Sequence, residues 1–382
     1  MARLTDSRPS QRTLGWKLSV CLITRLVLIG IGLGVFSGSA LKLLAPQVRQ
    51  QRLALPKWLT QQPQVTDGEG QGSNTFKIKA AVPSFVQLNQ GLSQLPFAPR
   101  QEITELSQRW QQQAEQQPDL QVSAYMLILD NGRYAQIHAD RPMPAASSIK
   151  TPILLAVLEL IDQGTLQWNE PLTLTKELVG GGAGWMALRP LGSRFPTYEV
   201  VTEMIRVSDN SATNLIIARF GGKERINARF QELNLPSTVV NNWLPDLDGT
   251  NTTSARDLSR TIALVDSGES LGIRSRDLFR EAMASSVTNT LLPTGLMQGL
   301  GGAQGVPDSN LARKGYRVLN KTGDIGIAYA DAGLIELPDG RRAVAGFLVK
   351  GPFNDPRSTE MIRQLAAAMA PHLRPKPVPL RP

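Results

Sequence analysis

Residues 147–161 read Ser-Ser-Ile-Lys-Thr-Pro-Ile-Leu-Leu-Ala-Val-Leu-Glu-Leu-Ile. Ile153, Leu154, Val157, Leu158 and Ile161 recur at helical spacing and form an apolar stripe, which predicts a helix lying in the interior. Pro152 falls early enough in that helix to be tolerated. Ser147 and Lys150 stand three apart at its start, a spacing that puts both side chains on one face with about 5 to 6 Å between their β-carbons. Burial of this first turn disfavours an ammonium and lowers the Lys150 pKa, so the amine can accept the Ser147 proton. The unpaired backbone N–H groups of a helix start also suit a developing oxyanion. The spacing alone says little, because Ser39, Ala40, Leu41 and Lys42 repeat it.

Outward from this helix, the pattern is mixed. On the N-terminal side, Ile103, Leu106, Trp110 and Ala114 recur at helical spacing up to Pro118. Val122 to Leu129 and Tyr134 to His138 then flank the turn Asp130, Asn131, Gly132, which reads as a hairpin. Helical patterns dominate from Ser147 to about Ala284. Arg317 to Asn320, Ile327 to Leu337 and Arg341 to Lys350 read as strands, and a last helix runs from Ser358 to about His372. Strands at both ends with helices between them predict an α/β domain: an antiparallel sheet of about five strands, flanked by helices, with an all-α subdomain inserted.

The charge is unevenly placed. The 382 residues carry a formal net charge of +9, yet residues 1–99 alone hold eleven Lys/Arg against three acids, and residues 374–382 hold three more. Residues 100–373 are left with 27 basic and 29 acidic side chains, a net of −2. A folded unit without a clustered positive footprint does not suit nucleic-acid binding, and no nucleic-acid partner is expected. One cysteine excludes a disulfide framework and a thiolate metal site, and two histidines leave little for imidazole chemistry. No metal and no cofactor is expected.

Domain boundaries follow from the composition. A basic segment, 1–17, precedes the apolar run 18–45, whose uninterrupted piece Leu26 to Leu41 spans about 24 Å at ~1.5 Å per residue. Leu43, Leu44 and Ala45 extend it past a snorkelling Lys42. A signal anchor fits; a cleaved signal peptide is the rival, with Gly38, Ser39 and Ala40 as small residues for a peptidase. Residues 46–99 read as a linker, Gln- and Gly-rich at 61–75, residues 100–373 as the catalytic domain, and 374–382 as a Pro-rich tail.

Two further sequences accompany Ser147 and Lys150. Ser208, Asp209, Asn210 falls between helical segments, where a loop projects a hydroxyl and an amide across a cleft. Lys321, Thr322, Gly323 continues an apparent strand, and its glycine allows close approach of an extended substrate. A Gly268-Glu269-Ser270-Leu271-Gly272 stretch follows a helical pattern instead of a strand, so it does not read as a nucleophile elbow.

The set Ser147/Lys150, Ser208–Asn210 and Lys321–Gly323 resembles the penicillin-recognising serine enzymes, specifically class A β-lactamases and their relatives among the penicillin-binding proteins. The resemblance covers about residues 120 to 373 and implies a β-lactamase/transpeptidase-like fold. Ser147 would be the acylated nucleophile, Lys150 its base, and Ser208 the proton shuttle to the leaving nitrogen. Asn210 would hold the acyl-side amide, while Lys321, Thr322 and Gly323 would bind the substrate, the first two through its carboxylate. The backbone N–H groups of Ser147 and Asp324 would form the oxyanion hole.

Two departures stand out. The segment from Leu235 to Ser254 is similar to the family's omega loop, in which a glutamate after the tryptophan activates the deacylating water; here Leu244 follows Trp243. Only Asp246 and Asp248 could supply a carboxylate in its place, and Asp246 is the candidate base if the loop aligns two residues further on. Asp324 would repel an anionic substrate unless it turns away or pairs with Arg313 or Lys314. The implied reaction is acyl transfer on D-alanyl stem peptides of peptidoglycan or on β-lactams, with slow deacylation. A true β-lactamase and an inactive cell-wall-binding module are the alternatives. Such substrates would place the catalytic domain in a bacterial periplasm, tethered to the inner membrane by a single pass, or free there if the leader is cut.

Overall fold

The computed structural model describes residues 98–302 and 307–375. The basic segment 1–17, the apolar run 18–45, residues 46–97 of the linker and the tail from 376 onward lie outside the described residues, and so do the expectations placed on them. Among the described residues no helix is long and apolar enough to cross a membrane.

The chain runs β1 (Gln101–Glu102), α1 (Thr104–Glu115), β2 (Gln121–Ile128), β3 (Arg133–Ile137) and β4 (Met143–Pro144). A 3₁₀ turn (Ala146–Ile149) then leads into α2 (Lys150–Asp162). Next come β5 (Pro171–Thr173), β6 (Arg194–Pro196), α3 (Thr197–Arg206), α4 (Asn210–Phe220), α5 (Lys223–Glu232), β7 (Thr252–Thr253), α6 (Ala255–Ser267) and α7 (Ile273–Ala284). After α8 (Leu292–Gly299) and α9 (Pro307–Arg313), three strands follow in succession, β8 (Arg317–Asp324), β9 (Ala328–Glu336) and β10 (Arg342–Lys350), before the last helix α10 (Pro356–Leu373).

The main sheet has the order β1-β3-β2-β10-β9-β8. From β3 to β8 all neighbours are antiparallel, the arrangement that the two ends of the sequence predict. The sixth strand, β1, pairs parallel with β3 over two residues, too short to show alternation in the sequence. The helical lobe also contains two small ladders, β4 with β7 and β5 with β6, where the sequence predicts helices alone.

Strand alternation divides the core between the two faces. Ala124, Met126 and Ile128 of β2 join Phe347 of β10, Trp110 of α1 and Leu365 of α10 on one side. Tyr125 and Leu127 join α2, α4 and α6 on the other. Trp110 is fully buried and still satisfied, because its indole N–H donates to Leu365 O at 2.9 Å. Gly346, in the middle of β10, lets α6 lie directly on the sheet, since a β-carbon there would come 2.6 Å from Ala255 O. Every residue of α2 from Lys150 to Glu159 is buried, which fits a helix apolar on most sides at the centre of the molecule. That helix places its first residue, a buried lysine, against Ser147, which lines a cleft.

Candidate active site

The serine and lysine that open the central helix are not on one α-helical turn, as the spacing predicts. Ser147 sits in the 3₁₀ turn, and α2 starts at Lys150 itself. Side chains three apart nearly eclipse in a 3₁₀ turn, so the two groups meet more directly than on an α-helix. Lys150 Nζ lies 3.0 Å from Ser147 Oγ. Ala146, just before the serine, holds a left-handed φ of 46°, a strained backbone for a residue with a β-carbon.

Lys150 is 0% exposed and has four oxygen neighbours: Ser147 Oγ at 3.0 Å, Ser208 O at 2.7 Å, Ser208 Oγ at 3.0 Å and Asn210 Oδ1 at 2.8 Å. An ammonium has three protons, one too few for four acceptors. A neutral amine also has three bonding positions, two protons and a lone pair, and only this form can accept a hydroxyl proton. Its two protons go to Ser208 O and Asn210 Oδ1, which can only accept, and its lone pair takes a hydroxyl proton. The electrostatics agree: burial, and then the neighbouring Lys321, hold the Lys150 pKa well below its ordinary value, with Asp209 pulling weakly the other way.

Ser208 lies in the connection from α3 to α4 with a left-handed φ of 61°. Its Oγ is 3.0 Å from Lys150 Nζ and 3.0 Å from Lys321 Nζ, so one hydroxyl joins the two lysines. Lys321 also donates to Thr322 O at 2.7 Å. Burial pushes its pKa down to about 8, while Asp331 on the next strand opposes the shift. Asp209 caps α4 and accepts from three backbone N–H groups, those of Ala212, Trp185 and Met186. This fixes the loop before Trp185 against the cleft, and Asn210 Nδ2 adds a bond to Gly181 O at 2.8 Å.

β8 is the edge strand of the sheet, and Ile325 N donates back to Ala328 O. By strand alternation the preceding N–H, that of Asp324, points outward from the open edge. Gly323 lies against the 3₁₀ turn, where a β-carbon would come 2.7 Å from Ser147 N. The N–H groups of Ser147 and Asp324 therefore sit on two touching backbone segments. Thr322 is nearly buried beside them. Asp324 pairs with neither Arg313 nor Lys314: its Oδ1 accepts from Gly326 N at 2.8 Å within the turn that follows.

The cleft between the lobes has a volume of about 500 Å³ and is lined by Ser147, Asn210, Leu244, Asp246, Asp324 and Phe353 among others. Leu244 is buried, and Asn214 clamps its backbone, accepting from Leu244 N at 2.9 Å and donating to Leu244 O at 2.8 Å. Asp246 reaches the cleft, but Thr250 Oγ1 donates to one oxygen and Asn251 N to the other. Asp248 is exposed and does not line the cleft. Sequence reasoning overlooks Asn214, although it stands four residues after Asn210 on one helix face. It also overlooks the Ala146 strain and the Phe353–Asn354 loop, neither of which leaves a pattern in the sequence.

The family described as the Beta-lactamase enzyme family matches residues 100–373. A beta-lactamase of Streptomyces albus G is 28% identical over 179 residues, 44% of this chain and 57% of that protein. One of Streptomyces cellulosae is 24% identical over 269 residues, 67% of this chain and 81% of that protein. The chain thus spans little more than half the length of the first of these relatives. Among solved structures, PBP-A is 41% identical with a TM-score of 0.66, covering 72% of this chain and 98% of that one. A leucine-to-glutamate variant of PBP-A is solved as an acyl-enzyme complex with penicillin G. An ancestral class A beta-lactamase, 21% identical with a TM-score of 0.60 over 70% of this chain and 99% of that one, shares the fold.

Proposed function

Because the chain belongs to the Beta-lactamase enzyme family and is a serine hydrolase, we propose that it forms an acyl-enzyme at Ser147 and releases the acyl group slowly. Its substrates are D-alanyl peptides of the cell wall, or β-lactams that mimic them. The observation that carries this reading is the buried Lys150 amine, in reach of Ser147 Oγ and Ser208 Oγ at once.

The steps follow from that contact. Lys150 takes the Ser147 proton as Oγ attacks the carbonyl, and the resulting oxyanion lies against the N–H groups of Ser147 and Asp324. Ser208, bonded to Lys150 on one side and Lys321 on the other, passes a proton to the departing nitrogen. Lys321 and Thr322 supply the positive charge and hydroxyl for an anionic end of the substrate, and Asn210 an amide for its acyl side. Deacylation needs a second base for water. Leu244 cannot take a proton, and both oxygens of Asp246 already hold the loop in place.

The apolar run at 18–45 is read as an anchor or cleaved leader that puts the domain 100–373 outside a bacterial inner membrane, where such substrates lie. Incubation with a fluorescent penicillin, followed by intact mass over time, tests the enzymatic reading. A persistent adduct that Ser147→Ala abolishes supports it. Rapid loss of the adduct selects a true β-lactamase, and binding without any adduct selects a cell-wall-binding module.

A further inference from the structure

The cleft at Ser147 is lined by Asn210, which the reaction gives to the acyl side of the substrate, while Lys321 and Thr322, given to its anionic end, do not line it. Its volume of about 500 Å³ therefore lies on the acyl side. One wall is Leu244, Pro245 and Leu247, from the connection between α5 and β7. The other is Ile325, Ile327 and Phe353, from the β8–β9 turn and the loop after β10. The walls come together at Gly249, where a β-carbon would lie 3.2 Å from Ile325 Cδ1. Phe353 lies across Gly326, so close that a β-carbon there would overlap its ring, and Asn354 N donates to Gly326 O at 2.9 Å. Much of the polar lining is already bonded. Asp246 accepts from Thr250 Oγ1 and Asn251 N, and the Asn251 side chain accepts from Asn241 N and Asn242 N and donates to Asn242 O. Leu247 is 65% exposed and Phe353 71%, so each wall leaves a large apolar side chain in water.

We propose that Leu247 and Phe353 are specificity-determining residues that grip an apolar chain on the acyl side, so that the favoured substrates are D-alanyl compounds whose N-acyl group begins with an aliphatic stem. This deepens the reading of Ser147 as the acylated nucleophile and rests on it. The selection comes from removing apolar surface from water, and each methylene fully buried between the walls is worth about four-fold in a binding constant. Ether oxygens in place of methylenes keep the length of the chain but give up their water on entering, so they forfeit that gain. A polar head at the far end of the stem reaches past Leu247 and Phe353 into water and is tolerated.

The test uses three N-acyl-D-alanyl thioesters with one leaving thiol, mercaptoacetate, whose carboxylate is left to Lys321 and Thr322. Their acyl groups are acetyl, heptanoyl and 3,6-dioxaheptanoyl, the last two equal in length. In each reaction the Ser147 Oγ–carbon bond forms, the carbon–sulfur bond breaks and the thiol departs, and the second-order rate constant of acylation is read by intact mass. In the unaltered enzyme the heptanoyl ester is expected to react at least about ten-fold faster than its dioxa analogue. Leu247→Gln combined with Phe353→Gln keeps side chains of similar reach, and is expected to lower that ratio at least about three-fold. Both esters meet the same protein, so the ratio does not depend on how much of the variant is folded. Equal rates for the two esters in the unaltered enzyme, or the same ratio in both proteins, overturn the inference. The acetyl ester separates it from the reading beneath it. An acetyl-D-alanyl adduct that Ser147→Ala abolishes keeps the nucleophile while the ratio decides the walls, and the lack of any adduct with all three esters overturns both.

Discussion

Ser208 joins two lysines through one hydroxyl, and the pair sets the expected pH response. Acylation needs Lys150 neutral, so its rate rises with pH through the lowered pKa of that amine. An anionic β-lactam also needs Lys321 charged, and the rate falls again as the pH passes about 8. A bell-shaped acylation profile with its alkaline limb near that value is expected from stopped-flow measurements, reporting the coupled pair instead of either lysine alone. Leu244 gives a second prediction. Leu244→Glu places a carboxylate in a buried, cleft-lining position, where desolvation raises its pKa toward the neutral range. The penicillin adduct is then expected to disappear at least about ten-fold faster by mass measurement, within the usual 10²–10⁴-fold range of a general base. These residues were legible because each motif carries its chemistry locally. Asn214 and Ala146 were not, since their work is to hold a neighbour's backbone.

At the scale of elements, alternation and turn residues made the hairpin β2–β3 and the run β8–β10 readable, and periodicity made α1, α6 and α10 readable. The short pieces escaped. β1, β4 and β7 have two residues each and β5 and β6 three, so no period can show. The 3₁₀ turn was read as α-helix because its four residues have no capping signal of their own. Close packing between elements is likewise invisible until the backbone is placed, and Gly346 shows what depends on it. Gly346→Val drives a branched side chain into Ala255 O of α6, and neither backbone can yield without opening the core. A loss of roughly 1–3 kcal/mol or more in denaturant unfolding is expected. Arg229 shows the electrostatic counterpart, since it holds the nearly buried Glu159 at 2.7 Å from α5.

For the whole molecule, the two ends of the domain meet in the middle of the sheet. β2 pairs with β10 along its full length, from Gln121 opposite Lys350 to Ile128 opposite Ala343. The sequence predicted this closure from strands placed on either side of a helical stretch, but it could not say which strand lies centrally. Removal of everything after residue 340 deletes β10 and α10, and with them both the partner of β2 and the cover over Trp110. Such a chain is expected to be digested by a small amount of protease at a rate at which the full-length protein survives.

That arrangement governs the order of events during synthesis. β10 follows its partner β2 by more than two hundred residues, so a growing chain carries the hairpin β2–β3 with only the two-residue β1 beside it until β10 is made. A hairpin alone is marginal in water, and pairing across more than two hundred residues is slow. Synthesis of β10, more than the earlier emergence of the hairpin, is therefore the event that lets the sheet close.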